Sequence, residues 1–178
     1  LLPLDFLKTL KMNPEFERDI EDSMLASYAN LPKLPGKTLF IVDVSGSMSA
    51  PMSSKSDFTR YDAACAMAML AVNQCEDYEI VCTAGNDGRR EGAHEHIKYP
   101  QKGFGIIKQI QDTNKRIGGG GIFTRQCLNW CKSHVGRNFD RIIVFSDSQD
   151  CDFPNLRIPE PFGTYNYICD VSANTKGV

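Results

Sequence analysis

The stretch Thr38-Leu-Phe-Ile-Val-Asp-Val-Ser-Gly-Ser47 decides how the rest of the chain is read. Its first half, residues 38–42, is a short continuous apolar run. A run without polar alternation suits a strand buried on both faces. Its second half sets the oxygen-bearing side chains of Asp43, Ser45 and Ser47 at alternate positions just past that strand. Gly46 lets the backbone turn tightly between the two serines.

Working outward from this stretch, strands and helices alternate. Residues 57–76, rich in Ala, Met and Cys, read as a long helix. Residues 78–83 form the next strand, and residues 94–99, more polar, suit an edge strand. Ile106, Ile107 and Ile110 give residues 104–116 a helical period. Four glycines, Gly118 to Gly121, then precede a helix over 125–134, and strands follow over 140–145 and 165–169. Strands separated by helices predict an α/β fold with a doubly wound, mostly parallel sheet and helices on both faces. Upstream, Asn13-Pro14 is a helix start, with Asn as cap and Pro in the first turn. Phe16, Ile20, Met24 and Tyr28 follow at spacings of four. Prolines and a glycine in Leu31-Pro-Lys-Leu-Pro-Gly36 end that helix. Residues 1–36 are thus a helical lead-in and linker, and residues 37–178 the α/β domain.

In such sheets ligands bind beyond the carboxyl ends of the strands. Three segments deliver oxygens there: Asp43, Ser45 and Ser47 after the first strand, Thr124 after the glycine run, and Asp147 after the strand ending at Phe145. Carboxylates and hydroxyls without nitrogen or sulfur suit a hard cation. A Ser-Gly-Ser turn is by itself also a common polar turn; the three converging segments favour the metal reading. The glycine run lacks the Gly-Lys-Ser/Thr of a nucleotide loop. Asp150 and Asp152 read as a solvated acidic turn, with a second ion as the weaker alternative. His94 and His96 read as surface residues of an edge strand. His134 closes a helix, where its charge suits the dipole. Met48 and Met52 flank the site, as loop packing or as a partner's contact.

Asp43-Val-Ser-Gly-Ser47, with Thr124 and Asp147, resembles the metal-ion-dependent adhesion site of von Willebrand factor A domains. The resemblance spans about residues 37–178. It implies one ion, Mg²⁺ or Mn²⁺, bound directly by Ser45 and Ser47. Thr124 would bind directly or through water, and Asp43 and Asp147 mostly through water. An open position would remain for a Glu or Asp carboxylate of a protein partner. The flanks Leu31-Pro-Lys-Leu-Pro-Gly-Lys-Thr38 and Asp57-Phe-Thr-Arg-Tyr-Asp-Ala-Ala64 are similar to the A domain of bacterial Ro-type (TROVE-module) proteins. That narrower likeness implies a ribonucleoprotein whose small noncoding RNA is bound by a helical-repeat ring. This chain is too short to hold the ring, and the lead-in is its last element or a brace on the sheet. Two departures stand out. Gly-Gly-Gly-Gly-Ile-Phe-Thr124 has two residues more than the family's Gly-Gly-Thr. The chain also stops soon after its last strand, where the family adds a strand and helix, so an apolar edge is expected to be exposed.

The bulk numbers agree with a single domain: 178 residues, 42% apolar, net charge −2. No run reaches the roughly 18 apolar residues of a membrane span. The N-terminus shows no signal-peptide pattern, and the lack of an initiator Met suggests part of something longer. Seven cysteines, an odd count, favour a reducing cytoplasm. Cys127 and Cys131 share a helix face, but no second pair is spaced to complete a zinc site. The expected function is non-enzymatic, metal-dependent protein interaction. A Mg-dependent hydrolase is the alternative, although an aspartyl-phosphate enzyme needs an acid where Ser45 stands. Direct RNA contact through Arg89, Arg90, Lys98, Lys102, Lys115 and Arg116 is the third reading; it predicts binding that weakens steeply with salt.

Overall fold

The computed structural model describes residues 2–152 and 161–172. Five strands form one sheet: β1 (Leu34–Asp43), β2 (Cys75–Asn86), β3 (Glu91–Ile97), β4 (Phe139–Ser146) and β5 (Gly163–Asp170). Their order is β3-β2-β1-β4-β5. All neighbours run parallel except β2 and β3, which pair antiparallel. The chain therefore builds outward from β1 in one direction and returns to build in the other. The reversal falls between β1 and β4, the place where such sheets open a crevice for a ligand. The expected doubly wound, mostly parallel α/β architecture is present.

Helices α3 (Arg60–Gln74), α4 (Phe104–Ile117) and α5 (Thr124–His134) connect the strands. Successive residues of a strand point to opposite faces. Phe40, Val42, Ile80 and Cys82 accordingly pack with the buried residues of α3 and α4. Leu39, Ile41, Val81, Ile142 and Val144 pack instead with Cys127, Leu128 and Cys131 of α5. Leu39 to Val42 are fully buried, which explains an apolar run with no alternation. Helix α3 is rich in alanine for a related reason. Ala63, Ala64, Ala66 and Ala68 are all buried, as small residues must be where a helix is covered nearly all round. Thr59 caps it: its hydroxyl accepts from the Asp62 N–H at 3.0 Å, and the Asp62 carboxylate accepts from the Thr59 N–H at 2.9 Å.

The lead-in is two helices rather than one. Helix α1 (Pro3–Met12) precedes a short 3-10 turn, Pro14–Phe16, and α2 (Glu17–Tyr28). Asn13 does not cap the second helix. It ends the first, with its backbone and side-chain amides both donating to the Thr9 carbonyl, at 3.0 and 3.2 Å. Phe6, Leu7, Met24 and Tyr28 are buried in the same cluster as α3 and α4, so the lead-in braces that layer. Glu21 of α2 also accepts from the Phe104 N–H, at 2.6 Å, at the start of α4. Strand β1 begins at Leu34, inside the segment expected to be a linker, with an irregularity in register before Lys37. β2 is longer than the apolar run at its centre because β3 supplies partners out to Asn86. At the other edge β5 has β4 as its neighbour and carries exposed Tyr165, Tyr167 and Ile168. Residues 173–178 lie outside the described residues.

Candidate functional site

The site lies at the carboxyl ends of β1 and β4. In the register of these strands Val42 faces Phe145, so the next pair is Asp43 and Ser146. Both are buried, and the Ser146 hydroxyl donates to Asp43 Oδ2 at 2.6 Å. The other oxygen of Asp43 accepts from the Ser45 N–H at 2.8 Å. The carboxylate thereby folds the loop that follows it. Burial raises the Asp43 carboxyl above its ordinary range. Its hydrogen bonds with Ser146 and Ser45 pull the other way, and the charge of Asp147 adds to the rise. A cation placed here would relieve both the burial and the repulsion.

Beyond Asp43 the Ser45 and Ser47 hydroxyls lie 3.3 Å apart. Adjacent oxygens around an octahedral Mg²⁺ at about 2.1 Å sit about 3 Å apart, so this pair already has the spacing of two neighbouring ligands. A 3-10 turn, Gly46–Ser49, carries Ser47 and buries Met48 beneath it. Met48 is therefore a packing residue. The glycine run braces the loop from the side: the Gly46 N–H donates to Gly120 O at 2.8 Å, and the Gly119 N–H to Val44 O at 3.2 Å. A cleft of 360 Å³ opens beside the serines, lined by Val44, Ser45, Met48, Thr59 and Tyr61 among others.

Asp147 follows β4, and its side chain is fully buried. Its Oδ2 holds the Arg60 guanidinium at 2.6 Å. Arg60 opens α3, and its backbone N–H donates to Ala50 O at 3.0 Å, which ties that helix to the turn bearing Ser47. Thr124 is placed differently. It is the first residue of α5, its N–H donates to Asp150 Oδ1 at 3.1 Å, and it lines a hollow shared with Leu128, Ile142 and Ile168. Among the described residues no hydrogen bond joins Thr124 to the Asp43–Ser47 loop. The two additional residues before it, Ile122 and Phe123, have partners of their own. Ile122 bridges to Asp150, and Phe123 is buried against Gly85 and Gly92. The structure thus gathers Asp43, Ser45, Ser47 and Asp147 at one rim and starts Thr124 on a neighbouring helix. Sequence reasoning missed Ser146 and Arg60. Nothing local marks either: the register of β1 with β4 brings Ser146 to Asp43, and the start of α3 brings Arg60 to Asp147.

Several secondary expectations need correction. Asp150 is exposed, as expected of a solvated turn, but Asp152 is buried and both carboxylates are engaged. They sit at the α5 N-terminus, where Asp152 accepts from the Arg125 N–H at 2.6 Å and from the Gln126 amide at 3.1 Å. Carboxylates there complete unpaired N–H groups and suit the dipole. His94 and His96 lie on the edge strand as expected, but they are half-buried and hydrogen-bonded rather than free on the surface. His94 shares a 2.9 Å hydrogen bond with Thr83, and burial lowers its pKa to about 4. His96 meets Glu79 at 2.7 Å. His134 stacks on Trp130 at the end of α5, with ring centroids 4.6 Å apart. Of the six cations proposed to contact RNA, Arg116 pairs with Glu95 and Lys115 with Asp112. The seven cysteines are free thiols, five of them buried. Cys127 and Cys131 lie with sulfurs 4.0 Å apart. Among the described residues no group of three or more His, Cys, Asp or Glu side chains could hold a metal, so any ion at the rim relies on serine hydroxyls.

Among solved structures, the chain is similar to the Ro (RSR) protein of Deinococcus radiodurans, with a TM-score of 0.55 and 14% identity. The likeness covers 86% of this chain and 35% of that one, so the chain spans about a third of that protein's length. It is a likeness of fold, a helix-flanked, mostly parallel sheet of the von Willebrand A or Rossmann-like kind. No protein-family model matches the chain, and no curated protein sequence matches it.

Proposed function

We propose that this chain is a divalent-cation-dependent protein-interaction domain of a Ro-type ribonucleoprotein, and that it is not an enzyme. The observation that carries the reading is the pair of serine hydroxyls 3.3 Å apart at the carboxyl end of β1, beside the buried carboxylates of Asp43 and Asp147. Ser45 and Ser47 would bind Mg²⁺ or Mn²⁺ directly. Asp43 would act on the ion through water, because both of its oxygens already hold the loop and Ser146. Asp147 supplies the second negative charge, and Thr124 joins through water or after a shift of the α5 start. A bound ion with so few anionic ligands stays electrophilic enough to accept an external carboxylate, the chemistry expected of a Glu or Asp on a partner protein. The cleft beside the serines gives room for that partner's neighbouring side chain.

The RNA of such an assembly is proposed to be a small noncoding RNA held by a helical-repeat module that these residues do not contain. The fold shared with the Ro (RSR) protein supports that context. The free thiols suit a reducing, cytoplasmic setting, and among the described residues no helix is long and apolar enough to cross a membrane. Asp43, with both oxygens engaged, is poorly placed to act as a nucleophile, which weighs against the hydrolase alternative.

Titration of the chain with Mn²⁺, followed calorimetrically, tests the reading. Wild type should bind one ion, and Ser45→Ala with Ser47→Ala should abolish binding while the fold, read by circular dichroism, persists. Undiminished binding in the double variant would remove the serine pair from the account, and no binding by wild type would end it.

A further inference from the structure

The Arg60–Asp147 contact is the strongest feature that the proposed function does not use. It joins a 12% exposed arginine side chain to a fully buried carboxylate. Oδ1 of Asp147 turns back to the loop's own backbone, where the Gln149 N–H approaches at 3.4 Å. Oδ2 points the other way and already holds a cation, the guanidinium at 2.6 Å. The arginine is poorly matched to a purely structural role. Its Nε is buried without a hydrogen-bond partner. A guanidinium has five N–H donors, and a well-built structural pair engages its carboxylate through two of them.

We propose that Arg60 is a tethered counter-cation that competes with the divalent ion for Asp147. A divalent ion drawn to the same buried carboxylate is repelled by the guanidinium already there, and that repulsion is strong where water is scarce. Without the ion, Arg60 neutralises Asp147 and keeps the rim from holding an uncompensated buried charge. With the ion, repulsion pushes Arg60 away from Oδ2. Its backbone link to Ala50 makes the turn bearing Ser47 the first element to feel that departure. Arg60 therefore sets the concentration of ion at which the site fills. This inference rests on the divalent-ion reading above.

The test compares Mn²⁺ affinity of wild type, Arg60→Met and Arg60→Lys by calorimetry, with Asp43→Ala as the control that places binding at this rim. Arg60→Met, which keeps the length and loses the charge, should bind Mn²⁺ about tenfold more tightly. Arg60→Lys keeps the charge and should stay within about threefold of wild type. If wild type binds in an Asp43-dependent way and Arg60→Met is no tighter, the competition is refuted while the ion site stands. If Arg60→Lys tightens as much as Arg60→Met, charge is not the cause and the proposal also fails. If no variant binds, both the inference and the function it rests on fall.

Discussion

At the scale of single residues, the chemistry of this rim comes from putting a carboxylate where water is absent and then giving it partners. Asp43 accepts from two groups, the Ser45 N–H and the buried Ser146 hydroxyl. Replacing it with alanine orphans both donors. Asp43→Ala should therefore lose about 2–4 kcal/mol of stability in EDTA, by urea unfolding, quite apart from any metal. Asp43→Asn, which still accepts, should lose less. His94 gives a second residue-scale prediction. Its folded-state pKa is lowered to about 4 from 6.5, chiefly by burial. Between those values the unfolded chain binds more protons than the folded one, so stability falls as pH drops through that window and the slope vanishes below it. The loss attributable to His94 should be about 2 kcal/mol. Unfolding free energies at pH 7 and pH 4.5 should show it in wild type and lack it in His94→Gln.

At the scale of elements, the loops at the rim hold one another as well as the strands that carry them. The glycine run touches the serine loop at Gly119 and Gly120 and, on its other side, β2. A Cβ on Gly120 would lie 2.0 Å from Gly85 O, and its φ of +60 is itself unfavourable for a side chain. Gly120→Ala should push the run off β2 and loosen the bond from Gly46 to Gly120. The expected result is a loss of about 1–3 kcal/mol of stability together with weaker Mn²⁺ binding. Loss of stability with unchanged ion affinity would show that the glycine run does not shape the serine loop. The same scale explains where sequence reading failed. Asp150 and Asp152 look like any acidic turn in one dimension. Only the parallel bridge of Ile122 with Asp150 brings them to the first turn of α5. Asn13 and Pro14 carry a true start signal, yet the bonds to Thr9 made Asn13 the end of the preceding helix.

At the scale of the whole molecule, the helical lead-in belongs to the same core as the sheet's first face. Met24 is fully buried there, among residues of α1, α3 and α4. Met24→Ala should cost about 3 kcal/mol, as a cavity in a core does and a surface change does not. A shift in melting temperature of less than a degree would mean that α2 is only loosely attached. The sequence by itself determined the layer architecture, because Leu39 to Val42 can be apolar without interruption only if both faces of that strand are covered. It also determined the cluster Asp43, Ser45 and Ser47, whose alternate spacing is local. Only the tertiary structure decided which distant groups would meet them. The register of β1 with β4 delivered Ser146, the start of α3 delivered Arg60, and the first turn of α5 set Thr124 against Asp150. Contacts of this kind depend on the relative placement of separate elements, and no window of sequence contains both partners.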